Sequence, residues 1–327
     1  MSRLSMPAGF TDAYICSILP PIMARAKYIP ITCKSALNHV KGMPFRWSLN
    51  PYRGCVHACH YCYARETHSY LGLNAGTDFE TSIFYKENIA TVLQKELRAP
   101  SWPRESIAIG TATDAYQPVE GRLGITRACL EVLARVRNPV SIVTKSTLII
   151  RDLDCLQELS GHADVRVYFT ITTLDEDLWR QLEPGTPPPL KRLEILSLLA
   201  SAGVETGVLM APVVPGMTDS RESIDSVAHA AASHGAKIFS AQPLRLAPLV
   251  KDHFFGFLAN NQPDLLRWYD RNFRTDQAPA EFQQRIAKLS EDAACRNNLI
   301  RRPKPDSSSV TGKSEQSPPA AAQLSLF

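Results

Sequence analysis

The chain predicts an α/β fold, namely a partial (βα)6 barrel of the TIM type followed by a helical extension and a disordered tail. Three observations carry this expectation. Short apolar, β-branched runs alternate with longer amphipathic patterns through the middle of the chain. The 327 residues, 44% of them hydrophobic, suffice for one large core. Past residue 245 the alternation gives way to helical composition and then to a polar tail.

Residues 1–40 read as an irregular N-terminal segment and 41–245 as the barrel. Within it SIAIG (106–110), VSIVT (140–144), VRVYFTIT (165–172), ETGVLMAPV (205–213) and AKIFSAQ (236–242) read as buried strands. Helices fill the gaps. Over 189–202 the prolines Pro187 to Pro189 pre-set a helix start, Leu190, Leu193, Leu196 and Leu199 recur at helical spacing, and Gly203 ends it. Asp219 with Glu222 three residues on resembles a capping box, Ile224, Val227, Ala228 and Ala231 line one face, and Gly235 stops that helix. Residues 246–300 are helical by composition, with Phe254, Phe255, Phe257, Leu265, Leu266, Trp268 and Tyr269 as apolar contacts, and read as a cap on the barrel. Residues 301–327 form the tail, rich in Ser, Pro and Lys up to residue 322 and unable to bury a core.

A net charge of +4 is too small to argue for a polyanionic partner by itself. Eight cysteines in a chain this long do not make the framework of a small secreted domain, which implies a reducing, cytoplasmic compartment. Arg3, the run AYICSILPPIMA and a small-residue ARA imitate a secretory signal, but Pro20-Pro21 breaks its apolar helix. No uninterrupted apolar run approaches the roughly 20 residues that span a bilayer, so no membrane association is expected.

The chemistry concentrates in NPYRGCVHACHYCYAR, where Cys55, Cys59 and Cys62 stand as CxxxCxxC with Tyr61 before the third cysteine. Thiolates are soft donors that select zinc, copper(I) or iron–sulfur clusters, and three of them leave one coordination position open. On spacing alone a structural zinc site completed by His57 or His60 remains an alternative, although such sites usually pair two short knuckles and the other five cysteines are scattered singly.

CxxxCxxC with an aromatic before the third cysteine, just after the first strand of a βα barrel, resembles the radical S-adenosylmethionine (SAM) superfamily. YRGCxHxCxYCYAR, then GTATDAYQPVE after the second strand, TKS after the third, and EPGTPPPLKRLEIL with APVVPGMTD are similar to its spore photoproduct lyase-like branch, often called DNA repair photolyases. The likeness covers roughly residues 45–245. It implies a [4Fe-4S] cluster on Cys55, Cys59 and Cys62, SAM chelated at the fourth iron, cleavage to a 5′-deoxyadenosyl radical, and a reductant such as flavodoxin or ferredoxin. In a βα barrel the residues ending successive strands meet at the C-terminal mouth. Thr111, Thr113, Asp114, Tyr116 and Gln117, then Lys145 and Ser146, Thr170 and Thr172, Met210 and Ala211, and Gln242 are expected there. Lys145 suits the SAM carboxylate, and Asp114 and the threonines suit its ammonium group or ribose hydroxyls. The resemblance places Tyr61 and Tyr63 close to the adenine. Glu183 and Arg192 are expected to pair and order the loop after the fourth strand. His57 and His60 are expected to pack or hydrogen-bond within the cysteine loop.

One departure stands out. Spore photoproduct lyase uses a further cysteine near the end of the second strand to return a hydrogen atom, and GTATDAYQP contains none. Cys129 and Cys155 fall in helical patterns and read as small core residues.

The final residues Gln323 to Phe327, QLSLF, resemble the peptide by which bacterial DNA polymerases and repair proteins grip the sliding clamp. A Gln hydrogen-bonds at a rim while the leucines and terminal Phe enter apolar pockets, and a disordered linker lets the motif reach its partner. The leading expectation is therefore a lyase-like radical SAM enzyme acting on DNA, in repair or modification. A radical SAM enzyme acting on a peptide or small molecule, and a zinc-stabilised nucleic-acid-binding module, are the alternatives.

Overall fold

The computed structural model describes residues 26–301, so the signal-like N-terminal stretch and the QLSLF tail lie outside the described residues. Of the segment read as irregular, the described residues 26–40 are more ordered than the sequence suggests. Strands β1 (Lys27–Ile31) and β2 (Leu37–His39) precede β3 (Trp47–Leu49) and β4 (Tyr52–Arg53). β1 runs parallel to β5 (Ser82–Lys86) and β4 antiparallel to it, a three-stranded sheet beside the barrel. The partners of β1 lie some fifty residues away, which local patterning does not reveal.

The main sheet has the order β11-β10-β9-β8-β7-β6-β3-β2. Its remaining strands are β6 (Ile107–Ile109), β7 (Val140–Thr144), β8 (Val165–Thr170), β9 (Glu205–Val213), β10 (Ile238–Pro243) and β11 (Ile300–Arg301). Every pairing is parallel except β2 with β3. The six strands β3 and β6 to β10 form the expected partial barrel, with β2 and β11 at its two edges. Ile107, Ile109, Ile142, Val167, Phe169, Val208, Met210 and Phe239 are fully buried, as parallel strands covered on both faces require.

Helices α1 (Thr77–Thr81), α2 (Ile89–Leu97), α3 (Glu120–Leu123), α4 (Ile125–Val136), α5 (Leu153–Ser160), α6 (Glu176–Leu182), α7 (Pro189–Ser201) and α8 (Arg221–Ser233) connect the strands. α7 packs on β8 and β9, and α8 on β9 and β10. α7 begins at Pro189 and is followed by Gly203 at φ +87°, as expected, but Leu190 is 54% exposed and the buried face is carried by Leu193, Leu196 and Leu199 with Arg192. The N-cap of α8 is Ser220, whose hydroxyl accepts the Ser223 N–H at 3.0 Å. Asp219 instead accepts the Gly216 N–H and pairs with Arg285, because the turn before the helix and a helix beyond it compete for its carboxylate.

α9 (Pro248–Asn261), α10 (Pro263–Asn272) and α11 (Ala280–Arg296) follow the last barrel strand. Phe254, Phe257, Tyr269 and Phe273 are buried there, the last two stacked with ring centroids 5.2 Å apart. α11 lies against β10, and its Ser290 hydroxyl accepts the Ala241 N–H at 2.8 Å.

Candidate active site

The cysteine loop leaves the barrel just beyond β3 and is held by backbone first. Gly54 sits at φ +81°, and a Cβ there would lie 2.9 Å from the Phe79 carbonyl, so the entry to the loop requires glycine. Two tight turns follow, closed by Ala58 N–H to the Cys55 carbonyl (3.4 Å) and Cys62 N–H to the Cys59 carbonyl (3.3 Å). The fully buried Arg65 then binds the loop from behind. Its guanidinium donates to the carbonyls of Cys59 (2.9 Å), Ala58 (2.9 Å), Ala75 and Gly76 (both 3.1 Å), and pairs with Glu80.

The turn after β6 grips the loop from one side. The Thr113 hydroxyl donates to the Gly54 carbonyl at 2.7 Å, and the Gln117 amide accepts the Val56 N–H while donating to the Gly54 carbonyl, both at 3.3 Å. Asp114 accepts from Tyr116 N–H, Lys145 N–H and the Thr144 hydroxyl, each at 2.8 Å, and pairs with His57 Nδ1 at 3.3 Å. Burial alone raises the Asp114 pKa, but the His57 ring and these hydrogen bonds outweigh it and bring it down to about 2. Asp114 and Thr113 are thus engaged in fixing the loop.

The segment after β8 grips it from the other side. Gly185 N–H donates to the His57 carbonyl and His60 N–H to the Leu182 carbonyl, both at 3.1 Å. Glu183 and Arg192 do pair, at 2.6 Å with both side chains fully buried. The Tyr61 and Thr172 hydroxyls donate to Glu183, the latter at 2.8 Å, and Arg192 also donates to the carbonyls of Thr170 and Pro187 at 2.8 Å. Burial pushes the Glu183 carboxyl up, but Arg192, Lys145 and the two hydroxyls hold it at about 2, below its ordinary 4.5. A carboxyl depressed in the folded state stabilises above its unfolded pKa, and that contribution disappears as pH falls through the folded one. Urea unfolding should therefore show stability declining from about pH 5 to 2. Glu183→Gln should flatten that slope while destabilising the protein at neutral pH by about 3 kcal/mol, because Arg192 stays buried without its partner.

Lys145 stands at the end of β7 with its ammonium 5.5 Å from the Tyr61 ring. Burial lowers its pKa, but Cys59 and Glu183 reverse this and leave it raised, so the group is a fixed cation. Burial raises the pKa of Cys55 well above its ordinary value, and the charges of Asp114, Cys59 and Cys62 add to this. Burial likewise pushes Cys59 up to about 12 against the pull of Lys145. Metal coordination overcomes such a penalty by stabilising the thiolate directly. Three soft donors on one pinned loop beside a cation fit an iron–sulfur cluster on donor chemistry. Among the described residues no three His, Cys, Asp or Glu side chains are already gathered as a finished ligand set.

The other expected residues divide by what they touch. The Tyr63 side chain is 55% exposed, and its hydroxyl donates to the Thr111 carbonyl. The Ser146 hydroxyl accepts the Leu148 N–H at 3.2 Å, and Thr170 at the end of β8 and Met210 within β9 are buried. His57 serves Asp114. His60 meets His253 of α9 at 3.2 Å and stacks on Phe257 at 4.5 Å, and burial lowers both histidines to about 4. Arg65 was missed by sequence reasoning, although it closes the CYAR run directly after the third cysteine.

The family model of the radical SAM superfamily matches residues 49–227, and the chain belongs to that superfamily. Its cofactors are accordingly a [4Fe-4S] cluster and SAM. Among curated relatives, an uncharacterised protein of Mycobacterium tuberculosis is 41% identical over 261 residues, covering 79% of this chain and 77% of the relative. An uncharacterised protein of Methanocaldococcus jannaschii is 28% identical over 197 residues, covering 60% and 71%. Among solved structures, spore photoproduct lyase complexed with dinucleoside spore photoproduct aligns with a TM-score of 0.64 at 17% identity, covering 86% of this chain and 83% of that one. That likeness is one of fold. Among the described residues no helix is long and apolar enough to cross a membrane.

Proposed function

We propose that this chain is a lyase-like radical SAM enzyme that acts on DNA, in repair or modification, with Cys55, Cys59 and Cys62 as the ligands of its cluster. The observation that carries the reading is the cysteine loop itself, clamped at the barrel mouth by the segments after β6 and β8 and faced by Lys145. When bound, the cluster supplies the electron that splits SAM into methionine and a 5′-deoxyadenosyl radical. The chain's own groups bind and orient. Lys145 holds the SAM carboxylate, and Ser146, Tyr63 and Met210 complete its surroundings. Tyr61, Thr113, Asp114, Thr170 and Thr172 position the loop and the Glu183–Arg192 pair, since their polar groups already meet protein partners or lie beside them.

Three facts support DNA as substrate. The strand-end motifs resemble the spore photoproduct lyase-like branch, the fold matches a lyase solved with a dinucleoside photoproduct, and the chain ends in QLSLF. In this reading the barrel spans 41–245, helices over 246–300 cap it, and the tail 301–327 recruits the enzyme to the sliding clamp from a cytoplasmic pool. A base in duplex DNA reaches the mouth only if it is extruded from the stack. The loop after β6 lacks the hydrogen-returning cysteine, and Cys129 and Cys155 are buried within the hydrophobic core, so the reaction closes differently from spore photoproduct repair.

The test is anaerobic incubation of the reconstituted, reduced protein (by flavodoxin, ferredoxin or a chemical reductant) with SAM and damaged or undamaged DNA. Formation of 5′-deoxyadenosine that takes up deuterium from labelled, damaged DNA is the expected result. Cleavage of SAM indifferent to DNA would remove the substrate, and none at all the enzyme. In a parallel arm the intact chain should pull down the sliding clamp, and a chain lacking residues 323–327 should not.

A further inference from the structure

At the end of the barrel opposite the mouth, a concavity of about 540 Å³ lies between the C-terminus of α2 and the start of β6 on one side and the C-terminus of α4 on the other. Arg98, Arg104, Arg135 and Arg137 line it together with Trp102, and no acidic residue does. All four arginines are exposed, and among the described residues none of them pairs with a carboxylate. Four guanidiniums around one concavity repel each other, and an anion between them relieves that repulsion. The position of Arg135 in the last turn of α4 complements the helix dipole, but this accounts for one arginine of the four.

A second observation is independent of charge. Arg104 lies at φ +56° and Arg137 at φ +54°, two of only four non-glycine residues with positive φ among those described. Arg137 follows α4 in the left-handed position where glycine is favoured for want of a Cβ. Two arginines at two such positions, both on the wall of the same concavity, place their side chains there against local backbone preference. The guanidinium fork matches phosphate oxygens in pairs. Trp102 adds a rigid wall, because its Nε1 donates to Asn138 Oδ1 at 2.7 Å and its ring meets Trp47 edge-on at 5.1 Å. The volume suits a nucleotide-sized group.

We propose that this concavity is a second ligand site, remote from the cysteine loop, that takes the phosphate groups of a nucleotide or of a nucleic-acid strand. The site is independent of SAM cleavage and of the identity of its substrate.

The discriminating variant is Arg104→Gly/Arg137→Gly in the full-length chain, since glycine relieves both backbone positions. Binding of tripolyphosphate and of a single-stranded oligodeoxynucleotide is followed by calorimetry across a salt series, beside thermal unfolding and SAM cleavage. The expected result is saturable binding by the parent chain, weakened about tenfold or more in the variant, with the thermal midpoint held or raised and SAM cleavage unchanged. For the oligonucleotide, the slope of log K against log salt should fall by about one to two. Mutual competition between the probes assigns the site to the phosphate group itself, and binding of the oligonucleotide alone assigns it to a strand. Equal affinity of parent and variant, binding of neither probe by the parent, or a lowered thermal midpoint accompanying the loss would each overturn the proposal.

Discussion

Cys59→Ala is expected to leave a folded chain that neither retains iron and sulfide nor forms 5′-deoxyadenosine above background, a loss of at least about a thousandfold in SAM cleavage. Two thiolates then remain where three are needed, and no neighbouring group replaces the third, because His57 is bound to Asp114 and His60 to His253. The fold should survive, since deleting one small buried side chain costs about 1–2 kcal/mol while Arg65 and Gly185 still pin the loop through its backbone. Cys55→Ala and Cys62→Ala should behave alike. The measurements are iron and sulfide content, the visible absorption of the reconstituted protein and product formation under reduction. Substantial cleavage by any of the three variants contradicts the ligand assignment.

Gly185→Ala should produce almost as large a loss by a different route. A Cβ at Gly185 would stand 2.2 Å from the Val56 carbonyl oxygen and 2.9 Å from the His57 backbone. These are main-chain atoms of the cysteine loop, which no rotamer change can move aside. The loop has to withdraw, breaking the hydrogen bond from Gly185 N–H to the His57 carbonyl and separating Cys55 from Cys59 and Cys62. Overpacking of this kind costs about 1–3 kcal/mol in stability, but the effect on cluster retention should exceed the effect on folding. Thermal unfolding and iron content measured on the same preparation separate the two. A variant that unfolds a few degrees earlier yet holds a full complement of iron would show that the loop tolerates displacement and that this clasp is not needed.

Much of the barrel was legible because each parallel strand is an apolar run bounded by its own punctuation. VSIVT and ETGVLMAPV coincide with β7 and β9, and Gly203 and Gly235 mark the ends of their helices. What local pattern missed depends on distant partners. β1 exists because β5 lies beside it, and Asp219 is drawn from its helix by Arg285. The same holds at the site. The Glu183–Arg192 pair was readable from charge, the cysteine spacing marked the loop as the place to look, and the resemblance added the strand-end motifs. The sequence did not disclose which polar groups already meet protein partners. Thr113 and Asp114 have the right chemistry for SAM but are engaged by Gly54, His57 and Lys145 N–H. Arg65 passed as an ordinary residue after a motif, although its guanidinium fastens the motif's carbonyls.

The cysteine loop is a short stretch of chain whose supports are scattered far along the sequence. Val56 is tied to a partner 61 positions away, Tyr61 to one 122 away and His60 to one 193 away. During synthesis the loop therefore emerges early and acquires its supports late, the last of them only when α9 has left the ribosome. Closing such long loops is slow compared with forming a helix. The loop takes its final shape only once these distant segments have folded against it. A loop in its finished shape therefore requires a chain folded through α9, whose His253 and Phe257 meet His60.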